Sequence, residues 1–239
     1  MHLESITLFP EKYPTKDHYP FNQAIFQKTD SIAFRTPVTF FVGENGTGKS
    51  TLLTAICKKC NIPIWQGIGG TRYKPNPYEK VLYLFMAVKW TNGSVPGSFF
   101  SSATFKDFAK YLDEGATVNP EIFKYFGGES LITQSHGQSL MSLFRGRYKI
   151  KGLYFLDEPE TALSPKSQLE LLTILNDMSI AGHAQFIVAT HSPILLACPG
   201  ADIYSFDQMP VKQVTYEETE HYKIYKDFMQ NQDPYLPDK

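Results

Sequence analysis

The sequence predicts an α/β fold built on a largely parallel sheet, and three observations carry that prediction. Short apolar runs alternate with helical periodicities along the chain. One apolar run, Val38–Val42, feeds directly into the glycine-rich segment Gly43-Glu44-Asn45-Gly46-Thr47-Gly48-Lys49-Ser50. A second, Gly152–Leu156, ends on the acidic pair Asp157-Glu158. Buried strands separated by helices belong to a parallel sheet covered on both faces.

Taken in order, strands are expected at Ser5–Phe9, Ser31–Phe34 and Val38–Val42, with Pro10, Pro14 and Pro20 breaking the segment between the first two. Ser-Thr-Leu-Leu-Thr-Ala-Ile after Lys49 reads as a helix. The region from Pro63 to Phe100 is rich in Gly, Pro and Asn at both ends and holds one apolar run, Val81–Trp90, expected to be a strand. Thr104–Leu112 spaces Phe105, Phe108, Ala109 and Leu112 as a helix does. Ser139–Phe144 also reads as a helix. After the strand Gly152–Leu156 comes an amphipathic helix, Pro165–Met178, with Leu169, Leu172 and Leu175 on one side. Buried strands follow at Ala184–Ala189 and Ile203–Phe206, then an edge strand at Val211–Tyr216. Thr219–Met229 closes the chain as a helix. No internal repeat or low-complexity linker is visible.

Composition narrows the setting. The 239 residues are 42% hydrophobic, enough for one well-buried core, and the net charge is −1. So balanced a charge offers no global attraction to nucleic acid or anionic membrane, although a local patch, Arg145, Arg147, Lys149 and Lys151, leaves nucleic acid open as a partner. The N-terminus lacks the regions of a signal peptide, and the longest apolar run falls short of the ~20 residues a membrane helix needs. A cytoplasmic protein without membrane insertion is expected. Three cysteines imply no disulfide framework. Cys57-x-x-Cys60 lacks a second pair and reads as two small apolar helix residues.

Gly43 to Ser50 satisfies G-x-x-x-x-G-K-[ST] in full. Gly43, Gly46 and Gly48 let the backbone curl, so that the N–H groups of the loop, Asn45 and Thr47 included, turn inward on a phosphate. Lys49 adds a charge that reaches the β- and γ-phosphates, and the Ser50 hydroxyl is a Mg²⁺ ligand. Thr51 stands in the first turn of the following helix, whose N-terminal dipole points at the anion. Such a loop needs a carboxylate on a neighbouring strand to hold the Mg²⁺ shell, and Asp157 at the end of its apolar run supplies it. Glu158 follows where the chain leaves the strand, so both carboxylates reach the site, and Glu158 is the candidate to polarise an attacking water. The ligand expected is Mg²⁺ with ATP.

Beyond these, Asp157-Glu158-Pro159-Glu160-Thr161-Ala162-Leu163-Ser164 resembles the extended Walker B and D-loop of ABC-type ATPases. His191 in Ile187-Val188-Ala189-Thr190-His191-Ser192 resembles their switch histidine. Ser135-His136-Gly137-Gln138 is similar to their signature motif in its Ser-x-Gly-Gln form, with His136 where transporter subunits usually carry glycine. The chain resembles most closely a group of small bacterial single-domain ATPases described as AAA/ABC-type, which share Ala189–Leu196 and a tail like Tyr216-Glu217-Glu218-Thr219-Glu220-His221-Tyr222. The resemblance spans nearly the whole chain.

It implies a P-loop NTPase fold of ABC-ATPase type in a single domain over residues 1–239. That fold has a mostly parallel sheet with flanking helices, an antiparallel portion near the N-terminus, and a small helical signature subregion over about residues 100–150. It also implies a nucleotide-dependent homodimer, in which Ser135, Gly137 and Gln138 of one copy close on the phosphate loop of the other. Lys49, Glu158 and His191 are then the catalytic residues, with His191 bonding the γ-phosphate. Gln66 lies in the interval of the family's Q-loop glutamine. Phe9, Tyr13 and Tyr19 are the candidates for an adenine-stacking aromatic, and His2, His18, His183 and His221 read as surface residues. The function expected is an ATP-driven dimerisation switch. The alternative is an ATP-binding regulatory subunit working with an unidentified protein partner in a defence, nuclease or transporter complex. The hundred or so residues between Lys49 and Asp157 hold no heptad run, which excludes a long coiled coil.

Overall fold

The computed structural model of the chain describes residues 1–65, 76–125, 128–133 and 136–236. Its strands, in chain order, are β1 (Leu3–Leu8), β2 (Ser31–Ala33), β3 (Val38–Val42), β4 (Met86–Trp90), β5 (Gly97–Ser101), β6 (Gly152–Asp157), β7 (Ala184–Ala189), β8 (Asp202–Ser205) and β9 (Lys212–Val214). The helices are α1 (Ala24–Lys28), α2 (Lys49–Lys59), α3 (Phe105–Ala116), α4 (His136–Arg147), α5 (Pro165–Ile180), α6 (Pro193–Leu196) and α7 (Glu220–Gln230).

A six-stranded sheet runs in the order β5-β6-β7-β3-β8-β9. All its neighbours are parallel except β9, which pairs antiparallel with β8 as an edge strand. A smaller antiparallel sheet, β2-β1-β4, comes from the first 90 residues. β3 and β7 are buried at every position, and β6 at all but its last residue. Their side chains divide between two apolar clusters. Phe40, Tyr154, Leu156, Phe186 and Val188 pack on one face, beneath α3, α4 and α5. Phe41, Leu153, Phe155, Ile187 and Ala189 pack on the other, beneath α2 and the antiparallel sheet. This two-sided burial is why these strands read as continuous apolar runs rather than alternating ones.

Two differences from the sequence reading matter. Val81–Trp90 divides: Leu82–Phe85 is a 3-10 turn and only Met86–Trp90 is strand. β5 was not expected at all. It lies parallel to β6 in full register, Gly97 beside Leu153 through Ser101 beside Asp157. A Cβ at Gly97 would stand 2.0 Å from the Leu153 carbonyl oxygen, so this close approach requires glycine.

Cys57 and Cys60 are buried in the apolar cluster under α2, and burial pushes the Cys60 thiol up to about 12. In the basic stretch, Arg145 pairs with Glu170 and Arg147 donates to the Gly97 carbonyl at 3.2 Å, while Lys149 and Lys151 are exposed. No described helix is long and apolar enough to cross a membrane.

Polar side chains tie the antiparallel sheet to the parallel one: the Tyr204 hydroxyl of β8 donates to the Ala33 carbonyl of β2, and Gln185 makes the most extensive link. Gln185 in β7 is fully buried. Its Oε1 accepts from the N–H groups of His2 (2.7 Å) and Leu3 (2.8 Å), and its Nε2 donates to the Leu3 carbonyl (2.9 Å). The amide thus serves the start of β1 as a neighbouring strand would. His2, expected at the surface, is buried as a result, and its ring donates to the His183 carbonyl at 2.9 Å. Gln185→Leu leaves two backbone donors and one acceptor without partners. It should cost about 2–4 kcal/mol of stability in urea unfolding. A loss below about 1 kcal/mol would show that the amide does not hold the two sheets together.

Candidate functional site

The site forms where three parallel strands end side by side. Residues 43–48 leave β3 and turn into α2. Gly43, Gly46 and Gly48 all have positive φ, at 148°, 80° and 101°. Gly48 is the left-handed residue that opens α2, and a Cβ there would strike the Phe26 ring at 2.7 Å. No side chain caps α2, so the N–H groups of its first turn are not consumed by one. Asn45 is exposed at the crest of the loop. Thr47 shapes the loop by donating its hydroxyl to the Glu44 carbonyl at 2.8 Å, and Asp207, beyond β8, accepts from the Glu44 N–H at 2.8 Å.

Lys49 is 4% exposed. Its ammonium donates to the Gly43 carbonyl at 2.6 Å and to the Glu44 carbonyl at 2.9 Å. Burial lowers its pKa, and the carboxylates of Glu158, Asp207, Asp157 and Glu44 oppose that shift.

Ser50 donates its hydroxyl to Asp157 Oδ1 at 2.7 Å, joining the start of α2 to the end of β6. β6 is not adjacent to β3, contrary to the expectation of a neighbouring strand. β7 lies between them, its Ala189 level with both Phe41 and Asp157. Ala189 faces α2, and its small side chain leaves room for the serine to reach across. Burial raises the Asp157 carboxyl to about 6, opposed by the Ser50 hydrogen bond and Lys49 and reinforced by Glu158. A desolvated carboxylate beside a hydroxyl is a hard oxygen donor pair, which suits Mg²⁺.

Glu158 has φ 48° and ψ 54°, a left-handed conformation unusual for a residue with a side chain. It is held there by its N–H donating to the Ala189 carbonyl (2.9 Å) and by its own carbonyl accepting from the Ser102 hydroxyl (2.7 Å). This turn is what brings both Asp157 and Glu158 into one site. Glu158 Oε1 stands 3.6 Å from His191 Nε2 at the end of β7. Burial, Lys49 and His221 lower the pKa of His191, so its imidazole is neutral at pH 7.

Sequence reasoning did not single out two residues that complete the site. Glu160 Oε1 accepts from the His191 N–H at 2.6 Å, tying the D-loop segment to the histidine's backbone. His221, expected at the surface, is half-buried, and its Nε2 lies 3.0 Å from His191 Nδ1. The motif around Glu160 and the Tyr216–Tyr222 tail were visible in the sequence, but not that both converge on His191.

Of the aromatic candidates, Tyr19 reaches the site, its hydroxyl hydrogen-bonded to Thr51. Tyr13 packs on Phe21 and Phe85, and Phe9 lies under the Lys12 ammonium. Gly137 and Gln138 begin α4, beside Ala162 and under the opposite face of the sheet from α2. Ser135 and Gln66 lie outside the described residues.

The raised pKa of Asp157 has a sign for stability. Its unfolded pKa is near 3.8 and its folded value about 6, so ionising it opposes folding. The penalty is absent below the lower value and complete above the higher. Asp157→Asn should therefore stabilise the protein at pH 7 by up to about 3 kcal/mol, with the gain shrinking towards pH 4. Urea unfolding at both pH values checks this, and an equal effect at the two would refute it.

Two family models match separate parts of the chain. One, described as "AAA domain, putative AbiEii toxin, Type IV TA system", covers residues 139–197, and another, "AAA domain", covers residues 22–58. No curated protein matches in sequence. Among solved structures, an inward-facing "putative metal-chelate type ABC transporter" superposes with a TM-score of 0.54 at 18% identity, over 94% of this chain and 88% of that one. CbiO1 from Clostridium perfringens, part of the ABC transporter complex cbiONQ, gives 0.52 at 18% identity over 97% of each chain. An ATP-binding subunit of an ABC transporter gives 0.50 at 16% identity, over 96% and 94%. The fold is thus that of the ABC ATPase domains, and two separate segments of the chain are similar to AAA domains.

Proposed function

We propose that the chain binds Mg-ATP on the 43–50 loop and hydrolyses it, and that ATP joins two copies head to tail as a dimerisation switch. The Ser50–Asp157 hydrogen bond carries this reading. It brings together a hydroxyl and a carboxylate that suit a metal ion, close to Lys49 and the Glu158–His191 pair.

Lys49 and the N–H groups opening α2 hold the phosphates and lower the cost of charge on the transferring group. Ser50 and Asp157 would hold Mg²⁺, which supplies further neutralisation of the β- and γ-oxygens. Glu158 accepts a hydrogen bond from water and orients it in line with the γ-phosphate. The neutral His191, bearing its proton on Nε2, donates to a γ-phosphate oxygen. Tyr19, hydrogen-bonded to Thr51 in the first turn of α2, is the aromatic placed to stack on the nucleotide base.

The dimer accounts for the remaining motif. Within one chain, α2 and α4 cover opposite faces of the sheet, so the residues opening α4 are remote from their own phosphate loop. A second copy placed head to tail brings its Gly137 and Gln138, together with Ser135, over the bound triphosphate, where backbone N–H groups at a helix start suit an anion.

Glu158→Gln should retain ATP, lose turnover by at least about 100-fold and pass from monomer to dimer on adding Mg-ATP, as read by chromatography with light scattering. Normal turnover in this variant would remove the role given to Glu158. A variant that binds ATP yet stays monomeric would assign the closing residues to another protein. Lys49→Ala should abolish ATP binding in calorimetry, and unchanged affinity would refute the phosphate-loop reading.

A further inference from the structure

We propose that His221 is a positioning residue for His191: it donates its Nε2–H to His191 Nδ1 and thereby keeps the proton of His191 on Nε2, facing Glu158 and the phosphate end of the site. This rests on the reading of His191 as a hydrogen-bond donor to the γ-phosphate.

The two rings share one hydrogen bond, His191 Nδ1 to His221 Nε2 at 3.0 Å, so only one of them supplies its proton. The other two ring nitrogens, His191 Nε2 and His221 Nδ1, are buried and have no hydrogen-bond partner among the described residues. Two arrangements satisfy the shared bond. In the first, His221 donates. His221 Nδ1 is then a bare lone pair, and His191 carries Nε2–H, 3.6 Å from the Glu158 carboxylate, an attractive contact. In the second, His191 donates from Nδ1. Its Nε2 lone pair then faces the carboxylate, which is repulsive, and His221 Nδ1–H becomes a buried donor without an acceptor. Each arrangement leaves one buried N–H outside the shared bond, at His191 Nε2 in the first and at His221 Nδ1 in the second. Only in the first does that N–H face a carboxylate, and only in the second does a lone pair face one, so the Glu158 contact favours the first arrangement. Burial also lowers the pKa of both rings, Lys49 adding to it, while Glu158 and Glu44 oppose it at His191 and Glu44, Asp207 and Glu220 oppose it at His221. Both are neutral at pH 7, so tautomer rather than charge decides what His191 presents.

The tail is built to deliver His221. Thr219 caps α7, its hydroxyl accepting from the Tyr222 N–H at 3.3 Å. The Tyr216 hydroxyl donates to the Pro193 carbonyl, two residues after His191, at 2.9 Å, and the Tyr216 and Tyr222 rings pack at 4.6 Å. Beyond this anchored turn most of α7 is exposed, with Tyr225 at 56% and Met229 at 75%. The helix is thus held against the body at the end that carries the histidine. A neutral imidazole free to exchange tautomers would spend part of its time with a lone pair aimed at the phosphate. His221 removes that state.

The test uses the full chain with ¹⁵N-labelled histidine. Long-range ¹H–¹⁵N spectra at pH 7.5 should show the Nε2–H tautomer at His191 in the wild type and a mixture in His221→Ala. The ATPase kcat of His221→Ala should fall by about 10-fold with KM for ATP changed less than about 2-fold. His221→Gln, whose amide N–H can stand where Nε2–H stood, should recover activity to within about 3-fold. Unchanged tautomer at His191 in His221→Ala, or equal impairment of the Ala and Gln variants, would overturn the proposal. Wild-type turnover no greater than that of Lys49→Ala would instead overturn the ATPase reading, while the spectra would still decide whether His221 sets the tautomer.

Discussion

The constraint on which the rest depends is the two-sided burial of the central strands. β3, β6 and β7 carry apolar side chains towards both faces, so their interiors have no place for reactive groups. Apart from the buried Thr39 and Gln185 near the beginnings of β3 and β7, polar residues emerge only where these strands finish, and because the strands are parallel, they finish on the same edge. Gly43, Asp157 and Thr190-His191 are brought together for that reason. The order of the sheet then sets the distances. β7 separates the phosphate-loop strand from the acidic one, and the site closes because Ala189 is small and Ser50 reaches across to Asp157.

The second consequence is electrostatic. Lys49 is a buried cation with the carboxylates of Asp157, Glu158, Glu44 and Asp207 around it. Burial disfavours charge on every one of the shifted groups: it lowers Lys49 and His191 and raises Asp157 and Glu160. The loop carbonyls of Gly43 and Glu44 and the Ser50 hydroxyl supply part of the lost hydration. Such an environment would strengthen the interactions with the triphosphate and metal of the proposed reaction relative to water, and would leave little to reorganise when charge moves.

His191 is the point where separate parts of the chain meet. Glu160, from the D-loop segment, holds its backbone N–H, and His221, from the C-terminal helix, holds its ring. In the proposed dimer the D-loop would lie near the opposite copy, so a shift there would be felt at the histidine through one short hydrogen bond. The tail helix has no buried residues of its own and is secured at its first turn by the Thr219 cap and the Tyr216–Pro193 bond.

Much of this was legible in the residues. The Gly43–Ser50 pattern, the apolar strand ending in Asp157-Glu158 and the strand ending in His191 are local features, each enforced by the backbone conformation or burial of a few consecutive residues. Local chemistry of this kind is written in the order of the sequence. β5 was not legible because a five-residue segment with one glycine and two serines becomes a strand only when β6 offers its edge. Gln185 looked like one polar residue in an apolar run until β1 was placed against it. His221 looked like a surface residue because nothing in its own helix turns it inward. Its partner is thirty residues away, and only the packing of α7 on the start of α6 brings one nitrogen of each ring to 3.0 Å. The sequence by itself determined the fold class and the glycine-rich loop with the acidic pair that faces it. The tertiary structure decided which strand lies between them, what holds the two sheets together and which tautomer His191 presents, since each of these depends on contacts between residues far apart in the chain.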